Sequence, residues 1–276
     1  MSWSDAIWVF LAISLLQPLL LQRYLDTRRR FLIARLEKRR GSRVILLVHR
    51  QETMRLLGFP LLRYIDVNDS EEVLRAIQLT DPDVPLDLIL QTPGGLALAA
   101  LQIARALKAR NAPVTVFVPH YAMSGGTLIA LAASGIVLSP HAVLGPIDPQ
   151  IGEYPAATFL KVVQQKEPAD LDDETLIKAD IASKALRQIR DAVAGLLAGR
   201  HDEERCFEIA TALTEGRWTH DFPIFSEFAA ELGLNVSTAM PAEILQLMLL
   251  YPQPVRGGGG GVEYLPGHRH KPVARP

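Results

Sequence analysis

One cysteine, Cys206, is all that the 276 residues contain. That excludes an intrachain disulfide and any zinc site built on cysteine. Net charge is equally scarce: 29 basic side chains against 30 acidic ones leave −1. So balanced a chain is no general polyanion binder, and no nucleic-acid partner is expected. No G-x-G-x-x-G opens a helix after a strand, so nicotinamide chemistry is set aside and no cofactor is expected. There is no tandem repeat. Ahead of the first apolar run the only charged side chain is Asp5, which is not the basic opening of a secretory signal peptide.

What is present begins with that apolar run. Ala6 to Leu21 reads AIWVFLAISLLQPLLL, sixteen residues, slightly short of the roughly 20 a spanning helix needs. Trp3, Trp8 and Tyr24 suit interfacial positions. Nine Lys/Arg follow between Arg23 and Arg43, opposed only by Asp26 and Glu37. The run predicts an uncleaved single-pass anchor in the cell (inner) membrane, with an amphipathic or buried first helix as the alternative, and the basic cluster places the remainder in the cytoplasm, near anionic lipid. Residues 1–42 are thus expected as anchor and basic juxtamembrane helix, 43–251 as one α/β domain, and 252–276, with RGGGGG and repeated prolines, as a disordered tail. His268 and His270 fall in that tail, where solvated side chains are a better reading than a metal site.

With 49% apolar residues the chain can bury a sizeable core. From Arg43 onward β-rich runs alternate with helical ones. VILLVH (44–49), LDLILQ (86–91), VTVFVP (114–119) and GIVLS (135–139) read as strands. Helices are expected from Asp69, capped with Glu72, through Ile77, and over 96–110 and 126–134. Continuous rather than alternating apolar strands joined by helices indicate a mostly parallel sheet covered on both faces. Beyond Pro155 the pattern is mainly helical. A long helix over 172–198 carries an apolar stripe of Ile177, Ile181, Leu186, Ile189, Val193 and Leu196, followed by helices near 203–213, 225–232 and 241–250.

Two strand-to-helix junctions carry paired glycines: Gly94-Gly95 in LILQTPGG and Gly125-Gly126 in HYAMSGGTLIALAASG. Without a Cβ, such turns can aim bare backbone N–H groups into a cleft, which is what an oxyanion hole requires. Ser124 sits at the second junction with steric room around its Oγ. Either turn alone is more often just a turn. Together, 29 residues apart from Gly95 to Ser124, they span one helix, one strand and their connections.

This combination resembles the Clp/crotonase-fold serine peptidases, a spiral of ββα units. Within them the chain is similar to the membrane-anchored signal peptide peptidase A type, and specifically to the serine dehydrogenase proteinases. The likeness runs through QTPGG (91–95), AMSGGTLIALAAS (122–134), SPHAVLGPIDPQIG (139–152), DDETLIKADIASKA (172–185) and TEGRWTHDFPI (214–224). It implies Ser124 as nucleophile, the N–H groups of Gly95 and Gly125 as oxyanion hole, a polypeptide substrate near the membrane, and a homo-oligomer. For the base it leaves two options, of which the Ser-Lys dyad with Lys166 is favoured; the triad fits the spacing poorly. A Ser-Lys dyad would use Lys166, in the segment before the long helix, or Lys184 within it; Lys161 and Lys178 are further candidates. A Ser-His-Asp triad would use His141 and Asp148, and His120 lies four residues before the serine. Two other activities remain open at this point: a crotonase-type acyl-CoA enzyme, which needs acidic groups rather than a serine, and a catalytically silent membrane scaffold.

Overall fold

Amphipathic helices alternate with short apolar strands, and the strands of the main sheet lie parallel side by side. In the computed structural model, residues 3–49 and 63–251 are described, with side chains of the first helix from residue 16 onward, Pro18 excepted. The first half of the chain comprises α1 (Trp3–Arg40), β1 (Arg43–Val48), α2 (Val67–Gln78), β2 (Leu86–Gln91), α3 (Ala97–Lys108), β3 (Val114–Val118), β4 (Tyr121–Ala122), α4 (Gly125–Leu131) and β5 (Gly135–Leu138). Then come β6 (Val143–Leu144), β7 (Gln150–Ile151), β8 (Tyr154–Pro155), α5 (Ala156–Gln165), α6 (Asp173–Leu197), α7 (Glu203–Thr214), α8 (Ser226–Glu231), β9 (Val236–Ser237) and α9 (Ala242–Leu249). The main sheet runs β1-β2-β3-β5-β9, every neighbour parallel.

Strand residues alternate between the two faces of this sheet. Ile45, Leu47, Leu88, Leu90, Val116 and Val118 enter the larger core with α2, α3 and α4. Val44, Ile89 and Phe117 point the other way, onto Leu32 and Leu36 of α1 and Ile244, Leu247 and Met248 of α9. The fold is therefore a mixed α/β arrangement with its sheet between helical layers. The C-terminal half of α1 is packed structure. Arg40 pairs with the buried Asp87, whose carboxylate also accepts from Ser42 Oγ at 2.6 Å. Arg39 Nη1 reaches both oxygens of Glu243 at 2.9 and 3.0 Å.

The structure bears on several of these expectations. No helix among the described residues is long and apolar enough to cross a membrane. The described side chains of α1 begin at Leu16, and charges recur from Arg23 onward, which leaves no apolar stretch of spanning length there. Most of the run 6–21 lies outside the described side chains, as does the tail 252–276 with His268 and His270. α2 starts earlier than Asp69. Asp66 is its N-cap, and Asp66 and Asp69 form a reciprocal capping box, each side chain accepting from the other's backbone N–H at 3.0 and 2.9 Å. On α6 only part of the apolar stripe faces the core: Leu186, Val193 and Leu196 are buried, whereas Ile177 and Ile181 are exposed.

Candidate active site

Ser124 stands where β4 breaks into α4. Its backbone, at φ 48° and ψ −111°, makes it the only non-glycine residue with positive φ among the described residues. Such a conformation costs about 1–3 kcal/mol and persists only where the surroundings enforce it. Here they do. Met123 N–H donates to Thr92 C=O at 3.0 Å, and Gly126 N–H to Met123 C=O at 2.7 Å. A Cβ at Gly126 would sit 2.6 Å from Thr92 Cγ2. The strained turn therefore holds Ser124, half-buried, at the rim of a cleft.

The Gly94-Gly95 turn lies directly against this elbow. A Cβ on Gly94 would lie 2.9 Å from Ser124 Cβ, and one on Gly95 would lie 2.3 Å from both N and O of Ile65. Gly94 and Gly95 adopt φ of 109° and 154°, which glycine alone takes readily. Ile65 N–H donates to Gly94 C=O at 2.8 Å, and Leu96 N–H donates to Ile65 C=O at 2.8 Å. Those two bonds occupy one edge of the turn. Gly95 N–H is left on the other edge, 3.5 Å from where a Gly125 side chain would begin. Neither Gly95 N–H nor Gly125 N–H has a hydrogen-bond partner among the described residues. The two turns thus leave two adjacent, unused donors beside Ser124.

A third element completes the site. Leu144 and Ile224 form an antiparallel bridge, N–H to C=O both ways at 3.0 and 2.9 Å. Four residues on from Leu144 is Asp148; four back from Ile224 is His220. The bridge brings the two segments side by side, and His220 Nδ1 meets Asp148 Oδ1 at 2.8 Å. Asp148 is buried, and its second oxygen accepts from Gln150 Nε2 at 2.6 Å. Thr127, fully buried in α4, ties the loop to the elbow: its hydroxyl spans Ala122 C=O and Gly145 C=O at 2.7 and 2.8 Å and accepts from Gly145 N–H at 2.9 Å. On the other side Trp218 stacks on Phe222 at 5.3 Å, bracing the segment that carries His220. The hydrogen bond to Asp148 holds the pKa of His220 above the ordinary histidine value; partial burial opposes this, and the charges of Asp148 and Asp221 add to it.

Ser124, Asp148 and His220 all line one cleft of about 400 Å³, with Gly95 and Gly125 in its wall. Its apolar sides come from Tyr64, Leu96, Leu128, Ile147 and Ile189. A model of the ClpP-like SDH-type serine proteinases matches residues 1–275. The chain belongs to that family. It is 51% identical over 259 residues to the uncharacterised protein MJ0137 of Methanocaldococcus jannaschii, across 94% of this chain and 90% of that one. It is 48% identical to MJ1495 of the same organism, covering 94% and 88%. Among solved structures, a mutant of the membrane-bound stomatin-specific protease 1510-N matches at 20% identity, with a TM-score of 0.45 over 67% of this chain and 79% of that one.

In this SDH-type proteinase the residues anticipated from sequence fall into two groups. Ser124, Gly95, Gly125 and Asp148 come together at the cleft. Lys166 does not line it; it caps the C-terminus of α5 and is exposed. Lys184 is exposed on α6 and paired with Asp180. Lys178 is bound to Glu174 on the same helix, and Lys161 is exposed. His141 sits exposed on the turn after β5, and Asp148 turns to His220 instead. His220, within the WTHDF stretch, is not among the residues anticipated from sequence. Its signal was weak: one histidine between aromatic residues, far downstream of the serine.

Proposed function

We propose that the chain is a serine endopeptidase running on Ser124, His220 and Asp148. Ser124 Oγ attacks the peptide carbonyl while His220 Nε2 takes the hydroxyl proton. The N–H groups of Gly95 and Gly125 receive the negative charge that builds on the carbonyl oxygen. His220 then returns the proton to the leaving amine, and water repeats the sequence on the acyl-enzyme. Asp148 keeps Nδ1 protonated and so leaves Nε2 as the basic nitrogen. The observation that carries this reading is the meeting, on one cleft, of a strained serine and a histidine whose other nitrogen is held by a buried carboxylate. In the same reading His220, and not Lys166 or Lys184, is the base, because neither lysine borders the cleft.

The apolar walls favour an extended, unfolded polypeptide with apolar side chains. The apolar run 6–21 and the basic cluster after it support a membrane-associated enzyme with its cleft on the cytoplasmic side, acting on membrane-proximal chains; a homo-oligomer is part of the same proposal and rests on the family resemblance alone. An acyl-CoA reaction on this fold would need neither Ser124 nor an Asp-His pair, and a silent scaffold would have no use for a strained serine beside them. A fluorophosphonate probe tests the proposal. Wild type should be labelled covalently, and Ser124→Ala should abolish labelling while folding normally. Equal labelling of the two proteins would remove Ser124 as nucleophile.

A further inference from the structure

Behind the Gly94-Gly95 turn lies a second Asp–His pair that the proposed chemistry does not use. His49, at the end of β1, is 3% exposed. Its Nε2 faces Asp69 Oδ2 at 3.2 Å, and its Nδ1 faces Thr92 Oγ1 at 3.0 Å. A carboxylate can only accept, so Nε2 carries a proton; in the neutral ring Nδ1 is then the acceptor for the Thr92 hydroxyl. Thr92 is fully buried, and its Oγ1 accepts from Gly94 N–H at 3.2 Å. The same hydroxyl has an alternative acceptor, Gly94 C=O, at 3.3 Å. It has one proton to give, and His49 decides where that proton points.

Thr92 also bonds through its backbone to the strand that ends in Ser124. Its N–H donates to Tyr121 C=O at 3.2 Å, and its C=O accepts from Met123 N–H at 3.0 Å. One residue therefore touches both elbows: the glycine turn by its side chain, the serine strand by its backbone. We propose that His49 and Thr92 are positioning residues that hold the Gly94-Gly95 turn in register with Ser124. Asp69 fixes the His49 ring, and because its carboxylate also caps α2, that helix is joined to the same chain of hydrogen bonds. The kinetic consequence of this inference rests on the peptidase reading; the structural one does not.

The test compares Thr92→Val, Thr92→Ser, His49→Gln and His49→Asn in the full-length chain. An asparagine amide occupies the place of Nδ1 and keeps a partner for Thr92; a glutamine amide occupies the place of Nε2 and keeps one for Asp69. Two quantities are read: backbone amide exchange over Gly94 to Leu96, and the second-order rate of fluorophosphonate labelling. Thr92→Val should speed exchange and slow labelling by about tenfold, a fraction of the roughly 10²–10³ lost when an oxyanion donor is deleted. Thr92→Ser should stay much closer to wild type. His49→Gln should behave like Thr92→Val, and His49→Asn should lose less. With a peptide substrate, the loss should fall on kcat and leave KM unchanged. If Thr92→Val does not fold, the two His49 variants still decide. Unchanged exchange and labelling in His49→Gln would overturn the proposal, as would a greater loss in His49→Asn, because His49 would then serve Asp69 and α2 alone. Should labelling of wild type prove independent of Ser124, the peptidase reading falls, and amide exchange by itself still decides whether His49 holds the turn.

Discussion

His220 and His49 are each bonded to an aspartate, yet they are placed for opposite purposes. The side chain of His220 is 38% exposed at the cleft and that of His49 is 4% exposed beneath the sheet's edge. At His220 the aspartate takes Nδ1, and no partner among the described residues takes Nε2. At His49 the aspartate takes Nε2 and Thr92 takes Nδ1. A histidine with one nitrogen free and solvent nearby can exchange protons with a substrate. One with both nitrogens engaged and no solvent can only fix geometry. The couple itself therefore says little about catalysis; which nitrogen the aspartate holds, and what the other one faces, says much more.

The comparison breaks or holds first on the two aspartates. Asp148→Asn should lower kcat/KM on a fluorogenic peptide by about 10⁴, because the imidazole loses the tautomer it needs. Asp69→Asn should cost less than about tenfold, the ceiling set for a positioning role. A similar loss in both would erase the distinction between base and brace. A third aspartate, the buried Asp87, has no histidine at all and is balanced by Arg40 and Ser42. Arg40→Met strands that carboxylate, and chemical denaturation should show a loss of about 3–5 kcal/mol. Turnover per folded molecule should stay at the wild-type level, since the pair lies at the opposite end of β2 from the cleft.

Acid–base behaviour sharpens the contrast further. The pKa of His220 is raised, principally by its bond to Asp148, and only neutral imidazole accepts the serine proton. Activity should therefore fall on acidification with a midpoint above 6.5, the ordinary value. Asp221→Asn removes the smallest of the contributing charges and should move that midpoint down slightly. The sign for stability is the reverse. A folded pKa above the unfolded one gives a contribution that is full below about 6.5 and lost as pH rises through the folded value. Solvent at this half-exposed ring keeps that contribution small. The smallest effect belongs to Lys184→Ala. Its exposed pair with Asp180 is worth about 0.3–0.5 kcal/mol, and turnover should not change.

Much of this arrangement is legible in the sequence. Strand 86–91 is read from LDLILQ with the bounds the structure shows, because a run buried on both faces needs no periodicity to betray it. The elbows at Gly94-Gly95 and Ser124 were legible because two glycine pairs at strand ends stand one helix and one strand apart, a combination that is more specific than either turn alone. Asp66 was hidden as a cap because Asp69 with Glu72 offered an equally good capping pattern one turn later. His220 was illegible for a different reason. Nothing local distinguishes it; it reaches Asp148 through the Leu144–Ile224 pairing, and that contact crosses β7, β8 and all of α5, α6 and α7. The lysines attracted attention in its place because position along the chain is visible in a sequence and position in a cleft is not.

The central claim is that His220 serves Ser124 as base, and one paired measurement bears on it most directly. Steady-state hydrolysis of the same peptide should be compared in wild type, His220→Ala and Lys166→Ala, with Ser124→Ala as the blank. The account predicts that His220→Ala falls to within about tenfold of that blank, since members of such a triad act as a unit, while Lys166→Ala keeps wild-type turnover. A dead Lys166→Ala beside an active His220→Ala would contradict it and return the chemistry to a Ser-Lys dyad.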